Sequence, residues 1–301
     1  MKADNLTRVF REYLSQEAIL KYTRATAGFG ISYLLDHDYK AVYLQALALL
    51  PQEVRERGIC MLELGCGAGM NLLHLVSVLN QHSICVEKAI GTDFSPVLIE
   101  AAKREAKSYL PEAYQRKVQF YVAKHESVID DLSVSCAADK SQLNNSVHFI
   151  VAVNTVRYCH HAKTELNCAR NIANLLVPGG VCVVIDMNNR FPFFMSEVKN
   201  RFRVNKREEC YLPSLEEYIA PFRSVGLEVL ESRHFCWVPH SSGQFMCRLL
   251  SGLSPVLDVI ARSRAMRSLV ILRKITNRTV TTPTVLQRGD LRGERDGGSL
   301  S

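Results

Sequence analysis

Apolar residues alternate along most of the chain between short runs and longer stretches at helical spacing. The short runs fall at 59–64, 88–93, 118–123, 147–153 and 181–186; they are too brief for stable helices, and the last is strongly β-branched, so each predicts a strand. Between them, helical periodicity predicts a helix over 70–80, one entered through Ser95 as N-cap and Pro96 in its first turn, and one over 162–176 stopped by Pro178-Gly179-Gly180. Strands alternating with helices signify a parallel sheet with crossover helices. Ahead of the first strand, helices are predicted over 6–23 and 38–50, separated by the loop signal Ala27-Gly28-Phe29-Gly30. A capping box, Ser214-Leu215-Glu216-Glu217, opens a helix ending near Gly226, and 227–236 and 268–274 supply two further strands. The expected architecture is α/β: a Rossmann-like, doubly wound, seven-stranded, mostly parallel sheet over 56–275. N-terminal lid helices occupy 1–55, and an insertion over 239–266 separates the last two strands. The stretch 276–301, without apolar period, reads as a disordered tail.

Composition narrows the class. Apolar residues make up 47% of the 301, and no uninterrupted apolar run approaches the ~18 residues of a bilayer span, so the chain reads as soluble and cytoplasmic with no membrane span. Ten cysteines form no C-x-x-C pair and several fall in apolar runs, which favours reduced, buried thiols over zinc ligands; no metal site is expected. The net charge of +7 is concentrated after Ile260, leaving a nearly neutral body that disfavours a broad nucleic-acid surface.

The chemistry gathers at Glu63-Leu64-Gly65-Cys66-Gly67-Ala68-Gly69, an acid closing the first strand followed by alternating glycines and then a helix. Such glycines let the chain turn sharply and leave backbone N–H groups bare to a ligand. A dinucleotide fingerprint would require glycine where Met70 stands. At the end of the second strand, Asp93 occupies the place where an acid can accept from both hydroxyls of a ribose.

With these two motifs the sequence resembles the class I S-adenosylmethionine (SAM) dependent methyltransferases. The resemblance extends through Phe149-Ile150-Val151-Ala152-Val153-Asn154, Leu175-Leu176-Val177-Pro178-Gly179-Gly180 and Phe222-Arg223-Ser224-Val225-Gly226-Leu227, in order and spacing, over about residues 59 to 236. It implies SAM as cofactor, with Gly65, Cys66, Gly67 and Gly69 backing its methionine part, Glu63 reaching toward the amino group, Asp93 on the ribose, Phe94 on the adenine and Asn154 at the methionyl end. Where the family often carries an adenine-binding acid, Lys124 stands, which shifts that contact to His125, Glu126 or backbone.

Methyl transfer from a sulfonium is a displacement that depends on alignment, and a base is needed only if the acceptor must lose a proton. Tyr158, His160, His161, Asp186 and His234 lie near strand ends; His160 is the candidate base, with His161 beside it, against the alternative that both rings cap or pack. Tyr22 and Tyr33, flanking the glycine-containing loop of the lid, are expected near the cofactor. The apolar insertion is expected to cover the site mouth or to make a dimer contact, implying a small, apolar or aromatic acceptor and a possible homodimer. An RNA methyltransferase, motivated by the basic end, and a non-catalytic SAM-binding scaffold are the competing readings; a nicotinamide oxidoreductase is a more distant one.

Overall fold

A computed structural model describes residues 13–15, 19, 23, 28–194 and 211–275. Seven strands, β1 (Ile59–Leu64), β2 (Val86–Asp93), β3 (Val118–Val122), β4 (Val147–Val153), β5 (Leu176–Met187), β6 (Leu227–Phe235) and β7 (Arg267–Lys274), form one sheet in the order β3-β2-β1-β4-β5-β7-β6. The first five are parallel; β7 pairs antiparallel with both β5 and β6. The order reverses between β1 and β4, the crevice where open α/β sheets bind ligands at their carboxyl edge.

The helices, in chain order, are α1 (Phe29–Leu34), α2 (Lys40–Leu47), α3 (Gln52–Arg57), α4 (Met70–Gln81), α5 (Pro96–Tyr109), α6 (Glu112–Gln115), α7 (Val128–Ser135), α8 (Lys140–Leu143), α9 (Val156–Ala162), α10 (Glu165–Leu175), α11 (Leu215–Ser224) and α12 (Gln244–Ala261). They cover both faces. On one, α2 and α4 bury Tyr43, Leu47, Leu72 and Val76 against alternate sheet residues such as Met61, Phe149, Val183 and Ile271. On the other, α7, α10 and α11 bury Leu132, Ile172 and Phe222 against Leu62, Ile150, Cys182 and Val270. Both layers exclude water, which explains why β4 and β5 read as continuous apolar runs.

Several boundaries depart from expectation. Helix already begins at Phe29, with Gly28 as N-cap, and a π-helical turn over Leu35–Tyr39 joins α1 to α2. The helix expected over 162–176 is present as α10, and a further helix, α9, precedes it, with Lys163 in a left-handed conformation between the two. Pro178-Gly179-Gly180, expected as a turn, is absorbed into the long β5, whose pairing with β4 shifts register there. The polar stretch after β3 holds α7 and α8.

Within the 239–266 insertion, α12 turns most of its large apolar residues outward. Its inner side carries Leu250, Ser251, Ser254 and Asp258, while Phe245, Leu249, Leu253, Val256, Val259 and Ile260 face outward. Together with the turn that follows it, Gln244–Arg264 is long and apolar enough, by length and composition, to cross a membrane, with Arg248 and Asp258 interrupting the apolar run that the sequence reading sought. The expected helix over 6–23 falls mostly outside the described residues, as do Tyr22 and the tail over 276–301.

Candidate active site at the carboxyl edge of the sheet

Immediately after β1 the backbone turns into the left-handed region at Gly65, Gly67 and Gly69, with φ of +67°, +54° and +84°. Only glycine takes these values without strain. At Gly65 space is limiting too: a Cβ there would run into Thr155 Oγ1, with His125 Cε1 3.2 Å away. The loop is tied to β2 through Asp93, whose Oδ2 accepts from the Gly67 N–H at 3.0 Å and whose Oδ1 accepts from the Ser95 N–H at 2.9 Å. Burial pushes the Asp93 carboxyl up to about 6, against the pull of those two N–H donors. Glu63 is more extreme. Both of its oxygens are buried without a hydrogen-bond partner, and burial pushes its carboxyl up to about 8, although Asn71 and the Leu72 N–H lie close enough to oppose the shift.

Over the loop stands an aromatic group. The Tyr13 ring meets Phe94 and Tyr158 edge-on, each with centroids 5.9 Å apart, and its hydroxyl hydrogen-bonds that of Tyr158 at 2.5 Å. The Tyr13 carbonyl accepts from Ser95 Oγ at 2.6 Å, fixing the N-terminal segment to the end of β2. Arg157 lies against the Tyr158 ring, 4.5 Å from its centroid, and Nη2 donates to the Tyr158 hydroxyl at 2.9 Å. The same guanidinium forms a buried ion pair with Asp186 at 2.7 Å, and Asp186 also accepts from the Arg157 and Met187 N–H groups. Asp186 is thereby committed to holding α9 against β5.

The expected site residues divide between this edge and other places. Glu63, Gly65, Cys66, Gly67, Gly69, Asp93, Phe94 and Asn154 gather around the end of β1 and its neighbours. Asn154 has φ of +56° and accepts from Arg267 Nη1 at 2.5 Å. His125 contacts Thr155 Oγ1 through Nε2 at 2.5 Å, and burial pushes its ring down to about 4, so it is neutral at physiological pH. That placement supports the Gly65 turn between β1 and β4. His160 packs edge-on against Tyr218 of α11 at 5.5 Å, its Nε2 buried without a partner, which favours the packing alternative over contact with the glycine loop. His161, one residue on in α9, is half-buried. His234 faces Ser268 Oγ at 3.3 Å across β6 and β7. Tyr33 points away from the loop, donating to Ser251 Oγ of α12 at 2.5 Å and meeting the His37 ring at a tilt with centroids 4.3 Å apart. It lines a cleft of about 550 Å³ between the lid helices, β6 and α12 that contains none of the glycine-loop residues.

Sequence reasoning passed over Thr155, Arg157 and Arg267. For Arg157 a signal existed: a basic residue just after β4 and an acid at the end of the adjacent β5 invite pairing.

The site fits the cofactor implied by the motifs. Each Asp93 oxygen keeps a lone pair beyond its single N–H bond, and the orphaned Glu63 oxygens suit an ammonium group. Among the described residues no group of His, Cys, Asp and Glu could hold a metal ion.

Comparison with known proteins accords with this geometry. The model of a family described as methyltransferase domain matches residues 35–232. A SAM-dependent methyltransferase from Mesorhizobium loti is similar in structure with a TM-score of 0.51 at 15% identity, covering 79% of this chain and 99% of that one. The CurJ carbon methyltransferase gives 0.53 at 15% identity over 86% of this chain and 58% of that one. At such identities the likeness is one of fold. No curated protein matches.

Proposed function

Because the chain belongs to the methyltransferase-domain family, with SAM as its methyl donor, we propose that it transfers the methyl group to a small organic acceptor by direct displacement. The observation that carries this reading is the bond from the Gly67 N–H to Asp93 Oδ2, which joins the glycine loop to the ribose-binding acid as one rigid cradle. When bound, SAM supplies an electrophilic methyl on a sulfonium. The chain's own contribution is binding and alignment: Gly65 to Gly69 present bare backbone, Asp93 accepts from ribose hydroxyls, and Glu63 meets the amino group. Tyr13, Phe94 and Tyr158 form an aromatic wall whose electron-rich faces attract positive charge. That wall, more than α12, supports an apolar or aromatic acceptor. No residue is assigned as base: Asp186 is held by Arg157, and His160 is turned to Tyr218.

Calorimetric titration with SAM and with S-adenosylhomocysteine tests the reading, using wild type and Asp93→Asn with NADH as control. Binding of both adenosyl ligands that is lost in the variant is expected. NADH binding in their place would overturn it. Labelled-methyl transfer to a panel of aromatic O-, N- and C-nucleophiles, with RNA as a further arm, then identifies the acceptor class.

A further inference from the structure

Arg267 is the first residue of β7. Because β7 runs antiparallel to β5, with Met187 opposite Arg267, its beginning lies at the edge where the parallel strands end. Its side chain is 0% exposed. Nη1 donates to Asn154 Oδ1, Nη2 faces the His240 ring with Nε2 at 2.5 Å, and Nε has no partner. Among the described residues no carboxylate pairs with it, whereas Arg157 at the same edge has Asp186.

A guanidinium taken out of water costs several kcal/mol per ion in effective terms, and an amide oxygen and an imidazole return only dipoles where a counter-charge is wanted. The planar N–H fork matches a carboxylate in bidentate geometry. A second buried group nearby is also unsatisfied: the Tyr39 hydroxyl has no partner and feels the Arg267 charge, and the Tyr39 ring packs at 6.3 Å on Phe235, the residue opposite Arg267 on β6. The segment that carries His240 is packed against the lid. The carbonyls of Pro239, His240 and Ser242 lie 2.6–2.9 Å from where a Gly30 Cβ would be, so the first turn of α1 rests on the turn that carries His240.

We propose that Arg267, flanked by Asn154 and His240 and with Tyr39 close by, is the anion-binding residue of the acceptor pocket, and that the methyl acceptor carries a carboxylate. This rests on the methyl-transfer reading above. The competing source of a carboxylate is the methionine part of the cofactor. The strand's position favours the acceptor, since β7 is three places from β1 in the order β1-β4-β5-β7, about 14 Å at ~4.8 Å per strand. The bond to Asn154, which the resemblance places at the methionyl end, points the other way and is why the test includes a decarboxylated cofactor analogue. A bound carboxylate would take Nε and the Nη2 that His240 now faces.

The test is calorimetry on the full chain saturated with S-adenosylhomocysteine, titrating benzoate, phenylacetate and hexanoate, each against its amide. At least one acid is expected to bind better than its amide by about tenfold, the worth of hydrogen bonds to a charged group. Arg267→Gln should lose that preference while Arg267→Lys keeps part of it, with S-adenosylhomocysteine affinity and circular-dichroism melting preserved in both. Equal binding of acid and amide, no binding of any acid to the cofactor-loaded wild type, or unchanged acid binding in Arg267→Gln would overturn the proposal. So would a variant that loses S-adenosylhomocysteine but retains its decarboxylated analogue, which would assign the arginine to the cofactor. Failure of wild type to bind S-adenosylhomocysteine at all would instead overturn methyl transfer itself, and this proposal with it.

Discussion

Replacing Glu63 with glutamine should flatten the pH dependence of stability. Glu63 is 1% exposed, and burial pushes its carboxyl from 4.5 to about 8. Between those values the native state holds a proton that the unfolded chain has released. The folded state therefore binds more protons, and stability falls as pH rises, beginning near 4.5 and levelling off above 8. The gap of about 3.5 units at about 1.36 kcal/mol each amounts to about 5 kcal/mol, of which about 2.5 kcal/mol accrues between pH 5 and 7. Against a total stability of about 5–15 kcal/mol this is a large slope. Asp93, raised to about 6, adds a second decline at lower pH that the variant retains. Glutamine preserves shape and removes the ionisation. Urea unfolding of the cofactor-free protein at pH 5, 7 and 8.5 should show the variant gaining on wild type by about 2.5 kcal/mol between the first two. Parallel profiles would refute the argument. An ammonium brought to Glu63 draws its pKa back down, so cofactor binding at pH 7 should release a proton from wild type and none from Glu63→Gln, read from calorimetric heats in buffers of differing ionisation enthalpy.

Other perturbations follow from the same edge and from α12. Arg157→Ala leaves Asp186 buried and unpaired, and should cost about 3–5 kcal/mol in denaturant unfolding; Arg157→Met with Asp186→Leu should recover much of it. Gly65→Ala forces a left-handed alanine, about 1–2 kcal/mol by itself, and drives a methyl into Thr155, so both stability and S-adenosylhomocysteine affinity should drop, with unchanged affinity arguing against the cradle. The outward stripe of α12, with Val259 86% and Phe245 78% exposed, predicts self-association through that helix. Light scattering should give a mass above the 33.9 kDa of one chain for wild type and one-chain mass for Phe245→Glu with Val259→Glu; a monomeric wild type removes the dimer.

What the sequence disclosed was what local chemistry encodes. β1 and β4 coincide with their apolar runs because parallel strands covered on both faces must be apolar throughout, and the glycines after Leu64 reveal a turn because no other residue takes those φ values cheaply. Periodicity misjudged places where pairing overrides propensity. Pro178-Gly179-Gly180 would end a helix in isolation, yet Leu176 finds Val147 on β4 and the strand begins before the turn residues. In α12 the apolar residues, expected to cover the site mouth or to make a dimer contact, lie mostly outward, since composition does not say what a face meets.

Arg267 marks a deeper limit. In sequence it is one of several arginines in a basic C-terminal region, and charge counting places it on a solvated surface. Its burial depends on β7 entering the sheet antiparallel between β5 and β6, a pairing that brings the start of that strand to the carboxyl edge beside Asn154, 113 residues away. The bend that delivers His240 to the same guanidinium belongs to the insertion between β6 and β7. The glycine loop is built by adjacent residues and so shows in a motif, whereas the acceptor end as proposed is assembled from residues distant in sequence. Substrate choice can therefore change by altering β7 and its insertion without touching the glycine loop. The discriminating comparison is Arg267→Gln against Asp93→Asn: the first should redirect or lose acceptor binding at constant cofactor affinity, and the second should lose the cofactor itself.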